Sequence, residues 1–187
     1  MVTFLIAGTV KGVVGLGLPT ISLALLTVAI DLLSAMVLLI VPSLVTNLWQ
    51  AMVGGQFQVI LNRIWPFALM AALTIWFGVS LIDPSNAQWL SLLLGLLVMI
   101  YAVVGLTGLR LVISKSRNRW LGPVLGGVNG VVTGLTGSFV VPGVVYLQAL
   151  GFSKEQLIQA MGILFFVSTV MLGLALGKNG FLFYSLR

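Results

Sequence analysis

The side chains able to do chemistry are few, and they sit in apolar company. The 187 residues include no cysteine and no histidine, and they set three carboxylates, Asp31, Asp83 and Glu155, against nine lysines and arginines. Disulfides, thiolate nucleophiles and the imidazole base or metal ligand are therefore excluded. The three carboxylates stand far apart, at the edges of apolar runs, so a pair for general acid–base work is poorly supplied. What remains inside the apolar sequence is mostly neutral. "VPSLVTNLWQ" places Ser43, Thr46, Asn47 and Gln50 at helical spacing, which makes one face of that segment polar. "NGVVTGLTGS" holds Asn129, Gly130, Thr133, Gly134, Thr136, Gly137 and Ser138, and "GTVKGVVGLGLPT" holds Lys11, Gly12, Gly15, Gly17 and Pro19. Amides, hydroxyls and one ammonium bind ligands better than they catalyse reactions.

The elements that must position these groups are membrane helices. Hydrophobic residues make up 60% of the chain and charged residues 6%, with a mean hydropathy of +1.21. A soluble domain is about a quarter charged, and so few charges cannot cover a water-facing surface. The fold class expected is an all-α, multi-span integral membrane bundle. Six apolar segments are marked, at 3–29, 33–52, 64–82, 87–112, 121–150 and 155–176. One crossing takes about 20 residues. The first and fifth segments are longer than that, and glycines interrupt both.

Punctuation sets the ends. In "NRIWP", Asn62 and Pro66 mark a helix start with Trp65 at the interface. "DPSNAQW" is a tight turn ending in Trp89, "SKEQ" is a capping box over Ser153 to Gln156, and Asp31 can cap the second segment. Four of the nine cations, Arg110, Lys115, Arg117 and Arg119, share one loop, which sets topology rather than binding a nucleic acid and belongs in the cytoplasm. Two topologies are open. If all six segments cross, Arg63, the basic loop, Lys178 and Arg187 share one side, with Asp31, Asp83, Lys154 and Glu155 on the other. If the first and fifth are re-entrant hairpins, Arg63 and the loop stay together and the termini change sides.

The chain repeats itself. "KGVVGLG" at 11–17 resembles "NGVVTGLTG" at 129–137, and each precedes a proline, Pro19 or Pro142. Ala35-Met36 and Ala160-Met161, Ser43 and Ser168, and Gly55 and Gly180 keep one common offset. The expected organisation is a first repeat over 1–112 with four apolar segments, a cytoplasmic basic loop over 113–120, and a second repeat over 121–187 with two, about two helices fewer than the first.

Each glycine stretch reads as a helix break. A continuous helix over 3–29 is about 40 Å long, more than a hydrocarbon core of roughly 30 Å, and Pro19 removes a backbone donor. Broken backbone survives in a membrane only where protein or a wet cavity receives its polar groups, and paired breaks point to a transporter's central site. The N-terminal end of a half-helix is positive. The site predicted is a donor-rich pocket for a small anion, built from Lys11, Gly12, Gly15, Gly17, Asn47, Asn129, Gly130, Thr133, Gly134, Thr136, Gly137 and Ser138. The bland alternatives are close helix packing by the glycines, a snorkelling Lys11 and an interhelical bond from Asn47.

"AGTVKGVVGLGLPTISLALL", "VPSLVTNLWQAMVGG" and "GGVNGVVTGLTGSFVVPGVVYLQALGFSKEQLIQAMGILF" closely resemble the sulfite exporter family of TauE/SafE-like permeases. The resemblance implies a duplicated bacterial inner-membrane permease for sulfite, organosulfonates or related small anions, with Gly12, Gly15 and Gly17 in one motif, Gly130, Gly134, Gly137 and Pro142 in the other, and Asn47 in a "TN" pair. Members of that family usually have about eight hydrophobic segments, so the resemblance too implies that this chain is short by its last pair. The partners expected are the anionic substrate, the lipid bilayer and, as an oligomeric option, a second copy in a homodimer. No cofactor, metal, nucleic acid or enzymatic activity is expected. The rival reading is a non-transporting membrane subunit.

Overall fold

A computed structural model describes residues 18–107 and 112–182. Helices α1 (Leu18–Ala29), α2 (Leu32–Met52), α3 (Phe57–Ser80), α4 (Ala87–Thr107), α5 (Lys115–Thr136), α6 (Val145–Ala149) and α7 (Lys154–Lys178) follow in order, with a 3-10 turn at Pro84–Asn86 and a π turn at Val140–Val144. Among the described residues, α2, α3, α4 and α7 are long and apolar enough to cross a membrane, and the short apolar run Val140–Ala149 is not. The chain is an all-α, multi-pass membrane protein.

Local signals explain most ends. The Asp31 carboxylate accepts from the Ser34 N–H at 2.9 Å and caps α2. Ser153 and Gln156 close the capping box of α7. In the α3–α4 turn the Ser85 hydroxyl, and then the Ser85 N–H at 2.9 Å, donate to the Asp83 carboxylate and lower its pKa from the ordinary value. The start of the third segment needs correcting. α3 begins at Phe57, and Pro66 lies inside it. Gly54 (φ 125°) and Gly55 (φ 69°) turn the chain after α2, so a new helix can start two residues later. The missing Pro66 donor is a local cost within a helix packed on its neighbours. The fourth segment's helix is described to Thr107, and 108–111 fall outside the described residues.

The fifth segment is a hairpin, not a crossing. α5 ends at Gly137, in the left-handed region (φ 69°), whose N–H donates to the Thr133 carbonyl at 2.8 Å. The chain then runs back along α5. Gly143 lies against Asn129, the Tyr146 hydroxyl donates to the Asn118 amide oxygen at 2.6 Å, and the Ile113 N–H donates to the Ala149 carbonyl at 2.8 Å. Segment five therefore enters and leaves at the basic end, beside Arg63, whose guanidinium donates to the Leu150 carbonyl and lies 4.8 Å from the centre of the Phe152 ring. Of the two topologies this favours the re-entrant one for segment five. It also corrects the placement of Lys154 and Glu155, which the six-crossing reading set opposite the basic loop; they begin α7 at the basic end. Lys178 is at the other end, 5.6 Å from the Trp76 ring centre.

Glycine decides how α3 and α5 pack. A Cβ on Gly134 would stand 2.5 Å from the Ile75 carbonyl oxygen and 2.8 Å from the Gly78 Cα, and one on Gly126 or Gly130 would run into the α3 backbone. The helices therefore touch backbone to backbone. Thr74 ties them further, donating to its own helix at Met70 or across to the Gly127 carbonyl, both within 2.9 Å. Phe67 stacks on Tyr146 at 4.2 Å between ring centres, which seats the returning limb on the same pair.

Candidate functional site

The hairpin places most of the second glycine motif. Its tip pairs most of its polar groups: the Thr133 hydroxyl donates to the Ser138 carbonyl at 2.9 Å, and the Thr136 hydroxyl donates to the Val132 carbonyl at 2.8 Å and accepts from the Ser138 N–H at 3.2 Å, while the buried Ser138 hydroxyl has no partner. Thr133, Thr136, Gly137 and Ser138 thus form one hydrogen-bonded turn. Gly130 and Gly134 lie on the side of α5 that faces α3, where they serve the close approach.

Asn129 stands apart. It is fully buried, and neither its amide nitrogen nor its amide oxygen has a hydrogen-bond partner. It faces the returning limb at Gly143, where a Cβ would stand 2.7 Å from the Asn129 Oδ1. A buried polar group left unpaired costs about 1–3 kcal/mol. That cost falls at the glycine-lined break itself.

The second buried polar group lies between α2 and α7. Asn47 is fully buried, its Nδ2 3.5 Å from the Thr169 hydroxyl, and that hydroxyl donates to the Phe165 carbonyl at 2.6 Å. Ser43 and Ser168 are buried with unpartnered hydroxyls. Thr27, Thr46, Thr74, Ser91, Thr136 and Thr169, by contrast, donate to the carbonyl one turn back. A narrow cleft with room for about one water molecule runs between Ile40 and Ser43 of α2 and Thr169 and Leu172 of α7, with Gly137 and Phe139 of the hairpin and Leu23, Met36 and Leu39 completing the wall. Its wall is mostly apolar and carries no charge.

Of the predicted residues that the structure describes, Gly137 lines this cleft. Asn47 lies one helical turn from Ser43 and pairs with Thr169, which also lines it. Asn129 is held in the hairpin. Lys11, Gly12, Gly15 and Gly17 lie outside the described residues. Ser43, Ser168 and Thr169 were not among the predicted site residues. The offset shared by Ser43 and Ser168 was the available signal, but serines so often bond back to their own helix that it carried little weight. No group of three or more histidine, cysteine, aspartate or glutamate residues that could hold a metal ion occurs among the described residues.

The family model described as "Sulfite exporter TauE/SafE" matches residues 1–186. No curated protein and no solved structure gives a significant match.

Proposed function

The chain belongs to the sulfite exporter TauE/SafE family, and on that premise we propose that it is a bacterial inner-membrane permease for a small anion such as sulfite or an organosulfonate. The observation that carries the reading is Asn129: a fully buried amide with no partner at either atom, beside the helix break. Folding alone gains nothing from such a group, whereas a ligand oxygen would satisfy its N–H donors. Ser43 and Ser168 add buried, unpartnered hydroxyls near the middle of α2 and α7. Lys11, the counterpart of Asn129 in the repeat, supplies a positive charge from the first glycine stretch.

The driving force that fits is the membrane potential. Histidine is missing from the chain and the carboxylates sit at helix ends, so no proton relay through them is built into the spans. Moving one charge across 100 mV supplies about 2.3 kcal/mol.

A non-transporting membrane subunit is the second reading, and the backbone-to-backbone α3–α5 contact at Gly126, Gly130 and Gly134 favours it. Purified protein in proteoliposomes separates the two. Radiolabelled sulfite should enter under an imposed potential and be displaced by organosulfonates. Lys11→Met should weaken apparent affinity about tenfold to a hundredfold, as expected for losing a charge-assisted hydrogen bond, with Lys154→Met as a control. Flux no greater than in empty liposomes would leave the subunit reading.

A further inference from the structure

The α2–α7 pair is not uniform along its length. At the basic end the two helices touch: a Cβ on Gly162 of α7 would stand 2.5 Å from the Ala51 N of α2. Four glutamines clasp this contact. Gln50 Nε2 donates to the Ile158 carbonyl at 2.8 Å, Gln159 Nε2 to the Ala51 carbonyl at 2.9 Å, the Gln56 N–H to the Gln159 Oε1 at 3.1 Å, and Gln156 Nε2 to the Gln56 Oε1. Seven residues along α2 from Gln50, about 10 Å, Ser43 lines the cleft instead. The pair is clasped by amides at one end and bounds a narrow cleft farther along, where Ile40 still packs against Gly173.

We propose that Gln50, Gln56, Gln156 and Gln159 form the basic-side gate of the permeation path, shut in this structure, and that opening it separates the α2–α3 turn from the start of α7. The proposal rests on the permease reading. Three features support it. The clasp joins an element of the first repeat to one of the second, which is where relative motion of repeats is expressed. Its members are neutral amides, so each bond can be exchanged for one to water at small net cost, and they add no negative charge in the way of an anion. The nearest acid, Glu155, accepts from the Ser153 hydroxyl at 3.1 Å. The turn also carries its own hinge: Gly54 and Gly55 have positive φ, and a Cβ on Gly55 would touch nothing within 4 Å.

The absence of native cysteine makes the test direct. Ser43→Cys provides a single thiol beyond the clasp, and its reaction with a membrane-impermeant maleimide is timed from each face of oriented vesicles. Gln159→Met, or the milder Gln156→Ala if the first fails to fold, should speed labelling from the basic face about tenfold, as expected for losing one or two hydrogen bonds, with no change from the opposite face. Equal rates with and without the clasp, or equal acceleration from both faces, would overturn the gate. In a second arm, Gln56→Cys/Gln156→Cys is bridged with a short bifunctional thiol reagent. Sulfite flux should stop on bridging, and flux that continues after complete bridging would also overturn it. Protein that passes no sulfite before bridging speaks against the permease reading instead, and the labelling arm still decides the clasp.

Discussion

The α3–α5 contact and the α2–α7 contact both bring helices within backbone reach, but they do so by different means. α5 meets α3 along a row of glycines, Gly126, Gly130 and Gly134, with few side-chain polar groups between them. α7 meets α2 largely through polar side chains: Gln50 reaches the Ile158 carbonyl, Gln159 the Ala51 carbonyl and Asn47 the Thr169 hydroxyl, with the backbone-close glycine at Gly162. The first contact is a fixed seam and leaves nothing unpaired in the helix interface. The second can be remade, because its bonds are to side chains that could as well bond water or a ligand. A glycine motif in a membrane chain can thus do two jobs at once: in "NGVVTGLTG" Gly130 and Gly134 seal α5 to α3, while Asn129 faces Gly143 and Gly137 turns the chain.

That contrast can be broken by substitution. Gly134→Leu should have the largest effect, since its side chain would have to displace the Ile75 carbonyl and Gly78. Overpacking costs about 1–3 kcal/mol and sometimes more, and a backbone-to-backbone seam has little room to relax. Monodisperse protein in detergent should fall sharply on size exclusion. Gln159→Met should come next. It leaves the Ala51 carbonyl and the Gln56 N–H without their partner, for a loss of about 1–3 kcal/mol seen as a lower thermal midpoint. Gly95→Ala should be smallest and opposite in sign, because a Cβ there meets nothing within 4 Å and alanine is the better helix former by about 1 kcal/mol. Loss of folding from Gly95→Ala would mean that glycine position on a helix does not separate seam from surface as described.

Much of this was legible in the sequence, for stated physical reasons. Membrane class followed from the scarcity of charge. The α2 and α7 starts followed from Asp31 and from the Ser153–Gln156 box, which act through the nearest backbone donors and so need no tertiary context. The broken fifth segment followed from its length and glycines. Where sequence failed, the cause was long-range. Pro66 looked like a helix start because its own N–H is missing, yet Gly54 and Gly55 had already restarted the chain at Phe57. The choice between crossing and hairpin depended on Tyr146 finding Asn118 and Ile113 finding Ala149, pairings that no local pattern announces. Likewise, that Gly130 and Gly134 face α3 and Asn129 faces Gly143 depends on which neighbours surround α5.

Asn129→Ala separates a ligand role from a packing role when two properties are measured together. Thermal stability in detergent and apparent sulfite affinity in proteoliposomes are determined for the same preparation. An amide that bonds nothing in the folded protein should be removed at little cost, so the unfolding midpoint should stay level or rise, within the near-neutral effect expected for deleting an unsatisfied buried polar group. If the amide is there for the anion, affinity should fall about tenfold, equivalent to about 1.4 kcal/mol. A variant that loses stability but keeps wild-type affinity would contradict the account and make Asn129 a packing residue of the hairpin.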